Sequence, residues 1–450
     1  MSFSKDFLWG VAAASYQVEG GHTDGRVPSV WDMHAAWPGK VFEEHNGSVA
    51  CDQYNRYEED AQLMADLGAK AYRFSIAWPR VMSDDGQLNK PGLDYYDRLA
   101  DALLAKGVTP WATLFHWDMP MWAFRKGGWL NRASADWFAE YVEHIADALG
   151  DRVKNWFTLN EPQVFLGLGH QTGEHAPGIK LPDSELVIAA HHTLMAHGRA
   201  VKVLREKVDD ARVGFAPTSP VAAAASDSPE DIEAARRFMF TCEPKRWIWS
   251  DTWYSGPAIQ GAYPDDGLAF LGKHLPAGFE DDIARVIHEP LDFFGVNVYQ
   301  GPTIKATDDG PKPVPFPVGG PITMFHWAVT PEVLYWGPKL FNERYGLPVY
   351  VTENGCASMD WVHVDGEVHD APRVDFITRY LRALKRAAAD DVDIAGYFHW
   401  SVLDNYEWAE GYRMRFGIVY VDFETQQRIP KDSYKWYAKI IESNGGALDG

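Results

Sequence analysis

Arg152-Val153-Lys154-Asn155-Trp156-Phe157-Thr158-Leu159-Asn160-Glu161-Pro162 reads as a β-strand that runs into a turn. The ring of Pro162 disfavours helical φ/ψ at Glu161, so the strand is expected to stop there with the carboxylate at its tip. Alone, an Asn-Glu-Pro of this kind is best read as a surface acid ahead of a turn. A second acid in the same setting reverses that weighing. Pro348-Val349-Tyr350-Val351-Thr352-Glu353-Asn354-Gly355 is another β-branched run ending in a glutamate, stopped here by Asn-Gly. Two glutamates at two strand ends, far apart in the chain, are the materials for two-carboxylate chemistry at one site.

Outward from these two runs, strand-like and helix-like segments alternate along the whole chain, the pattern of a parallel α/β fold. The other strands are expected at 7–14, 69–76, 108–115, 212–216, 292–298 and 394–399. Helices are expected at 54–67, 184–206 and 374–389, and where Leu93, Tyr96, Leu99 and Leu103, and then Trp137, Tyr141, Ile145 and Leu149, recur at helical spacing. A long Gly/Trp-rich loop should follow the first strand through Gly47, and 227–289 and 301–321 read as extra loops at the rim. Eight strands with intervening helices predict a single (β/α)8 TIM barrel over 1–450, with long βα loops forming the active-site mouth. Such barrels run from about 200 to over 400 residues as one unit. Polar and aromatic residues recur at nearly every strand end, where a barrel concentrates its chemistry: Gln17, Arg73, His116, Trp117, Asn160, Asn297, Tyr299 and Trp400.

Composition narrows the partners. With 42 basic against 63 acidic residues the formal net charge is −21, which disfavours nucleic acid and anionic membranes but not a neutral ligand. The 19 Trp, 20 Tyr and 23 Phe often adjoin Gly, Pro, His, Asn or Glu rather than falling in periodic apolar runs, which suggests pocket walls as well as core. Trp78, Trp111 and Trp156, within or beside strands, are expected in the core. Cys51, Cys242 and Cys356 have no paired spacing, and the N-terminus shows no signal-peptide pattern, so a cytoplasmic protein is expected. No run has the ~20 apolar residues of a membrane span.

Paired carboxyl groups flanking a scissile bond, among aromatics that stack on sugar faces, are what glycosidic cleavage requires. FLWGVAAASYQVEG, DQYNRYEED, AYRFSIAWPR, HWDMP, TLNEP, DFFGVNVY, VTENG and DNYEWAEGYRMRFGIVYVDF occur here in the order seen in the β-glucosidase family, glycoside hydrolase family one. The chain resembles that family over essentially its whole length, more loosely over 247–263. The resemblance implies a cofactor-free, metal-free enzyme that hydrolyses terminal non-phosphorylated β-D-glucosyl residues, with β-galactosides or β-fucosides slower or comparable. The substrates it implies are small β-linked oligosaccharides or aryl and alkyl β-glucosides, cleaved with retention through a covalent glycosyl-enzyme. It further implies that Glu161 is the acid/base and Glu353 the nucleophile, positioned by Arg73, Asn297 and Tyr299. Gln17, His116, Trp117, Asn160, Trp400, Glu407, Trp408 and Phe416 would form the wall that reads the sugar, and Trp327 a stacking platform on the leaving-group side. Glu407 would meet the fourth and sixth hydroxyls, and as an ionised carboxylate would repel a 6-phosphate.

Other readings were weighed. A silent sugar-binding relative would lack a glutamate, and a thioglucosidase would not need Glu161; both acids are present. A 6-phospho-glycosidase would carry a lysine near Glu407, where Met414 and Phe416 stand instead. His191, His192 and His197 suggest a metal, but they lie in a helix without an acid at ligand spacing, so packing is expected. Cys356 is expected to be a small buried residue rather than a reactive thiol.

Overall fold

The computed structural model describes residues 3–21 and 25–449; Met1, Ser2, part of the expected first loop (22–24) and Gly450 lie outside the described residues. Eight strands form one parallel sheet: β1 Leu8–Ala12, β2 Ala71–Ser75, β3 Thr109–Thr113, β4 Asn155–Asn160, β5 Arg212–Ala216, β6 Phe294–Asn297, β7 Val349–Asn354 and β8 Ile394–Trp400. Their order, β5-β4-β3-β2-β1-β8-β7-β6, brings the two ends of the sheet round to each other. There the Asp292 N–H donates to the Val213 carbonyl at 2.9 Å and the Asn297 N–H to the Pro217 carbonyl at 3.1 Å, which completes the (β/α)8 barrel.

Alternation along the strands sorts the side chains into two cores. Ala71, Trp111, Phe157, Tyr350 and Phe398 pack inside the barrel, whereas Tyr72, Ala112, Trp156, Val351 and Tyr397 face the helices. The interior is filled by rings around Trp111, whose centroid lies 5.7 Å from Phe157, 5.5 Å from Phe293, 5.0 Å from Tyr350 and 5.4 Å from Phe398. This plug occupies the strands' earlier residues, so polar side chains such as Arg73 and Asn160 face inward one layer above it.

The helices follow the expected spacing. Gln53–Leu67 ends at Gly68, whose φ of 82° suits a residue without a β-carbon; Leu93, Tyr96, Leu99 and Leu103 are buried on Lys90–Ala105, and Tyr141, Ile145 and Leu149 on Ser134–Leu149. Asp183–Lys207 runs behind β4. Its histidines serve packing: His197 Nδ1 meets Thr158 Oγ1 at 2.6 Å, His192 meets the Trp129 carbonyl at 3.0 Å, and His191 sits between Tyr263 and Asp282. Trp78 and Trp156 are buried, and Cys51, Cys242 and Cys356 are buried free thiols. Among the described residues no helix is long and apolar enough to cross a membrane.

The loop expectations need correction. The stretch after β1 contains a helical turn, Ser15–Val18, which carries Gln17, and a helix, Val30–Ala35, closed by a Ser29/Asp32 capping box. Segment 227–289 is largely helical, with Pro229–Phe240, Asp251–Ser255, Asp265–Leu271 and Phe279–Asp282. Its start carried a readable signal: Ser228 caps the Asp231 N–H, Pro229 follows, and Glu230 and Asp231 fill the first turn. Segment 301–321 holds an antiparallel hairpin, Thr303–Thr307 with Gly310–Pro313, and contributes no residue to the cavity described below.

Trp111→Ala removes the central ring of the plug. It is expected to destabilise the protein by about 3–5 kcal/mol, read as a lower urea midpoint with little change in m.

Candidate active site

The C-terminal strand ends open into a cavity of about 920 Å³. Glu161, the first residue beyond β4, adopts φ 47°, ψ 65° instead of the extended conformation expected ahead of a proline. Its N–H reaches the Ala216 carbonyl on β5 at 2.8 Å, and its own carbonyl takes the Val164 N–H at 2.9 Å, so bonds on both sides hold a left-handed glutamate in place. Two further non-glycine cavity residues are left-handed, Trp117 (φ 79°) and Trp408 (φ 50°). Such conformations cost on the order of 1–3 kcal/mol each and persist where the surroundings impose them, which is common at functional sites.

Glu353, on β7, is the hub of a hydrogen-bonded cluster. Arg73 on β2 donates from Nη1 to Glu353 Oε1 at 2.6 Å and to the Thr352 carbonyl at 3.1 Å, and Tyr299 donates its hydroxyl to Oε2 at 2.7 Å. Arg73 Nη2 also reaches Asn160 Oδ1 at 2.5 Å, and Asn297 Nδ2 reaches the same oxygen at 3.0 Å while its own Oδ1 takes the Thr352 hydroxyl at 2.6 Å. Because two donors occupy Asn160 Oδ1, its Nδ2 must face His116 Nε2, 3.1 Å away. His116 therefore accepts there and carries its proton on Nδ1. Burial, aided by Arg73, keeps its pKa well below the ordinary histidine value, so the ring is neutral.

Burial raises the proton affinity of Glu161, Glu353 and Glu407. Burial pushes the Glu161 carboxyl up to about 8, with the Glu353 charge adding to the rise and Asn297 and Arg73 opposing it. Burial also raises Glu353; Arg73, Tyr299 and Asn297 oppose this without bringing it back to its usual range. Arg73 thus limits the rise without reversing it. Glu353 holds the direct ion pair, so it is the first of the two to ionise. Glu407 is pushed up to about 8 by burial, helped by the Glu353 charge and opposed by Asn405 and Gln17. This contrasts with the ionised Glu407 expected from the sequence, because burial favours the protonated form.

The candidate residues converge. His116, Trp117, Asn297, Tyr299, Trp327, Trp400, Glu407, Trp408 and Phe416 line the cavity with Glu161 and Glu353. Gln17, Arg73 and Asn160 are buried and absent from that lining, and each reaches it through a partner: Gln17 Nε2 donates to Glu407 Oε2 at 3.2 Å, Arg73 to Glu353, and Asn160 to His116. Gln17 Oε1 is buried with no hydrogen-bond partner among the described residues. His116 stacks with Trp400 and with Trp408 at interplanar angles of 19° and 18°. Trp327 packs on Phe325, Tyr299 and Phe416 at 4.5, 5.2 and 6.1 Å.

Sequence reasoning missed Trp249, Phe325, Gln300, Lys40 and Lys180, which also line the cavity. Trp249 falls in 247–263, where the motif match was loose. Lys40 and Lys180 come from turns with no periodic signal, and no short pattern marks any of the five. Among the described residues no group of three or more His, Cys, Asp or Glu side chains is placed to hold a metal ion.

Comparison with known proteins agrees with this geometry. Residues 1–446 match the model of glycosyl hydrolase family 1. The chain is 46% identical to "Beta-glucosidase A" of Thermotoga maritima, covering 98% of each sequence, and 45% identical to "1,4-beta-D-glucan glucohydrolase" of Thermotoga neapolitana, covering 98% of this chain and 99% of that one. It superposes on the structure of a Thermotoga maritima β-glucosidase in complex with glucoimidazole with a TM-score of 0.89 and 44% identity, covering 99% of both chains. Taken with the paired glutamates at the mouth of the (β/α)8 barrel, these matches show that the chain belongs to glycosyl hydrolase family 1.

Proposed function

We propose that the protein is a retaining β-glucosidase acting on terminal, non-phosphorylated β-D-glucosyl residues, as one catalytic unit spanning 1–450. The observation that carries this reading is the unequal setting of two glutamates in one cavity: Glu353 is clamped by Arg73 and Tyr299, and Glu161 has its pKa raised to about 8. A carboxylate held by a cation suits attack on the anomeric carbon; a buried acid that keeps its proton suits donation to the leaving oxygen. In the first step Glu353 forms the ester to the sugar while Glu161 protonates the departing group. Glu161, now ionised, then takes a proton from water, which attacks the same carbon from the face the leaving group vacated. Two inversions give net retention, and an alcohol replacing that water gives transglycosylation. Small β-linked oligosaccharides from cellulose and aryl or alkyl β-glucosides are the substrate class.

The cavity wall supports the sugar-binding roles. Trp400, Trp408 and Trp327 present flat apolar faces to a pyranose, and Gln17 supports Glu407 from behind the wall through its Nε2. Neutral His116, with its proton on Nδ1, and the second Nδ2 hydrogen of Asn160 are donors of the kind that hold hydroxyls next to the reacting carbon. The preference for an unphosphorylated sugar rests on the arginines near Glu407 being committed elsewhere. Arg413 pairs with Glu410 and lies over Phe42, and Arg415 pairs with Asp404 and lies over Tyr420. The buried free thiols support a reducing, cytoplasmic setting.

Glu353→Ala should lower kcat by at least ~10³-fold, and azide should restore turnover with the α-glycosyl azide as product. A β product would assign the nucleophile elsewhere. Glu161→Ala should leave the first step on dinitrophenyl β-glucoside nearly intact yet leave cellobiose almost inert, because only the poor leaving group needs a proton. Equal losses on both substrates would count against Glu161 as acid. In the free enzyme kcat/KM should fall on the alkaline side near pH 8, as Glu161 loses its proton. Since the Glu353 anion raises Glu161, Glu353→Gln should move the Glu161 titration to lower pH; carboxyl ¹³C NMR would register that shift, and an unmoved titration would rule out the coupling.

A further inference from the structure

Six charged side chains alternate in sign along one buried line: Asp370, Arg373, Asp360, Lys431, Asp404 and Arg415. Arg373 donates from Nη1 to Asp370 and from Nη2 to Asp360 at 2.7 Å. Lys431 Nζ joins Asp360 at 2.6 Å to Asp404 at 2.7 Å, and Arg415 Nη1 reaches Asp404 at 2.6 Å. The first five side chains are at most 1% exposed and Arg415 is 17% exposed. Three anions against three cations leave the line neutral. Burying it still costs desolvation at every member, and well-packed apolar residues of similar volume often serve stability as well or better.

The backbone that the line grips shows where its effect is felt. Arg373 Nε donates to the carbonyl of Cys356, three residues beyond Glu353, at 3.3 Å, and its Nη2 to the carbonyl of Arg415 at 2.7 Å. Asp404, three residues ahead of Glu407, accepts the Gly417 N–H at 3.0 Å, directly after Phe416. That approach leaves no room for a side chain: a β-carbon on Gly417 would stand 2.0 Å from the Asp404 nitrogen. Three segments that carry cavity residues, those of Glu353, of Glu407 with Trp408, and of Phe416, are thus fastened to one rigid charge chain. None of its six members lines the cavity.

We propose that this alternating chain is a positioning device that sets the Glu407, Trp408 and Phe416 wall against Glu353, and thereby sets discrimination at the C4–C6 edge of the sugar. The proposal rests on the reading of Glu407 as the acid that meets the fourth and sixth hydroxyls. Held by side chains whose only low-energy arrangement is the paired one, the wall keeps its distance from the nucleophile whether or not a sugar is present. Loss of one ion frees the wall while the Arg73–Glu353–Tyr299 cluster, which the line does not touch, stays assembled.

The test compares kcat/KM for nitrophenyl β-glucoside and nitrophenyl β-xyloside, which lacks the C6 hydroxymethyl group, in wild type, Arg415→Gln, Arg415→Lys and Lys431→Met. A loosened wall is expected to lower the glucoside-to-xyloside ratio about 10- to 100-fold in Arg415→Gln, with xyloside turnover changed by no more than roughly threefold. Arg415→Lys, which keeps the cation, should restore most of the ratio. Lys431→Met breaks the link between Asp360 and Asp404, leaves the line one cation short, and should lower the ratio further wherever it folds; Arg415→Gln, at the partly exposed end, decides the matter alone if it does not. An unchanged ratio in folded Arg415→Gln, or a parallel loss on both substrates, would overturn the proposal. Glu407→Gln separates the two claims: if it leaves the ratio unchanged, the reading of Glu407 fails and the positioning role falls with it.

Discussion

The pairing of Arg73 with Glu353 is the constraint on which the rest of the site depends. A carboxylate buried among rings is driven to keep its proton, and a guanidinium within 2.6 Å is what opposes that drive here. Arg73 must itself be buried, and its charge is stabilised by three acceptors on Nη1 and Nη2, while its Nε has no partner among the described residues. It spans the Thr352 carbonyl, Glu353 and Asn160, with the Phe157 ring 5.0 Å from its guanidinium. A planar fork of donors can serve three acceptors at once, which a lysine cannot do with the same geometry. The bonds that satisfy Arg73 also orient Asn160, and through it His116, so one cation sets both the electrostatics and the polar geometry of the cavity.

The barrel makes this arrangement affordable. Trp111 and the rings around it fill the interior beneath the polar layer, so Arg73, Asn160 and Glu353 stand on a packed floor. The strand ends then hold residues in conformations that the local sequence disfavours. Glu161, Trp117 and Trp408 are left-handed without being glycine, and each is held by contacts from other segments, such as the bond from Trp117 Nε1 to the Asn160 carbonyl at 3.0 Å. A floor built from the strands and a rim built from loops also explains why Trp249, Phe325 and Lys180 escaped sequence reading: rim residues answer to neighbours, not to periodicity.

Of the three buried acids around the cavity, Glu353 raises the proton affinity of both Glu161 and Glu407, and Glu353 is itself in direct contact with a guanidinium, that of Arg73. This asymmetry gives the glutamates different proton affinities within one cavity. A Glu407 carboxyl that favours its protonated form can donate as well as accept a hydrogen bond.

The order of motifs and the strand-ending Asn160-Glu161-Pro162 and Glu353-Asn354-Gly355 were legible because they are encoded within a few residues of one another. From these the sequence by itself determined the barrel and placed Glu161 and Glu353 at strand ends, which the structure brings to one cavity. It left the helical content of 227–289 unread where no long apolar stripe announced it, although Ser228-Pro229 marked its start. Only the tertiary structure decided the protonation tendencies, because desolvation is a property of everything packed around a group and not of its neighbours in the chain. The left-handed backbone of Glu161 and the buried line from Asp370 to Arg415 were decided in the same way. Some of the bonds are local, such as Arg373 to Asp370, but Lys431 reaches Asp360 and the Glu161 N–H reaches Ala216 only because the folded barrel brings distant segments within hydrogen-bonding distance.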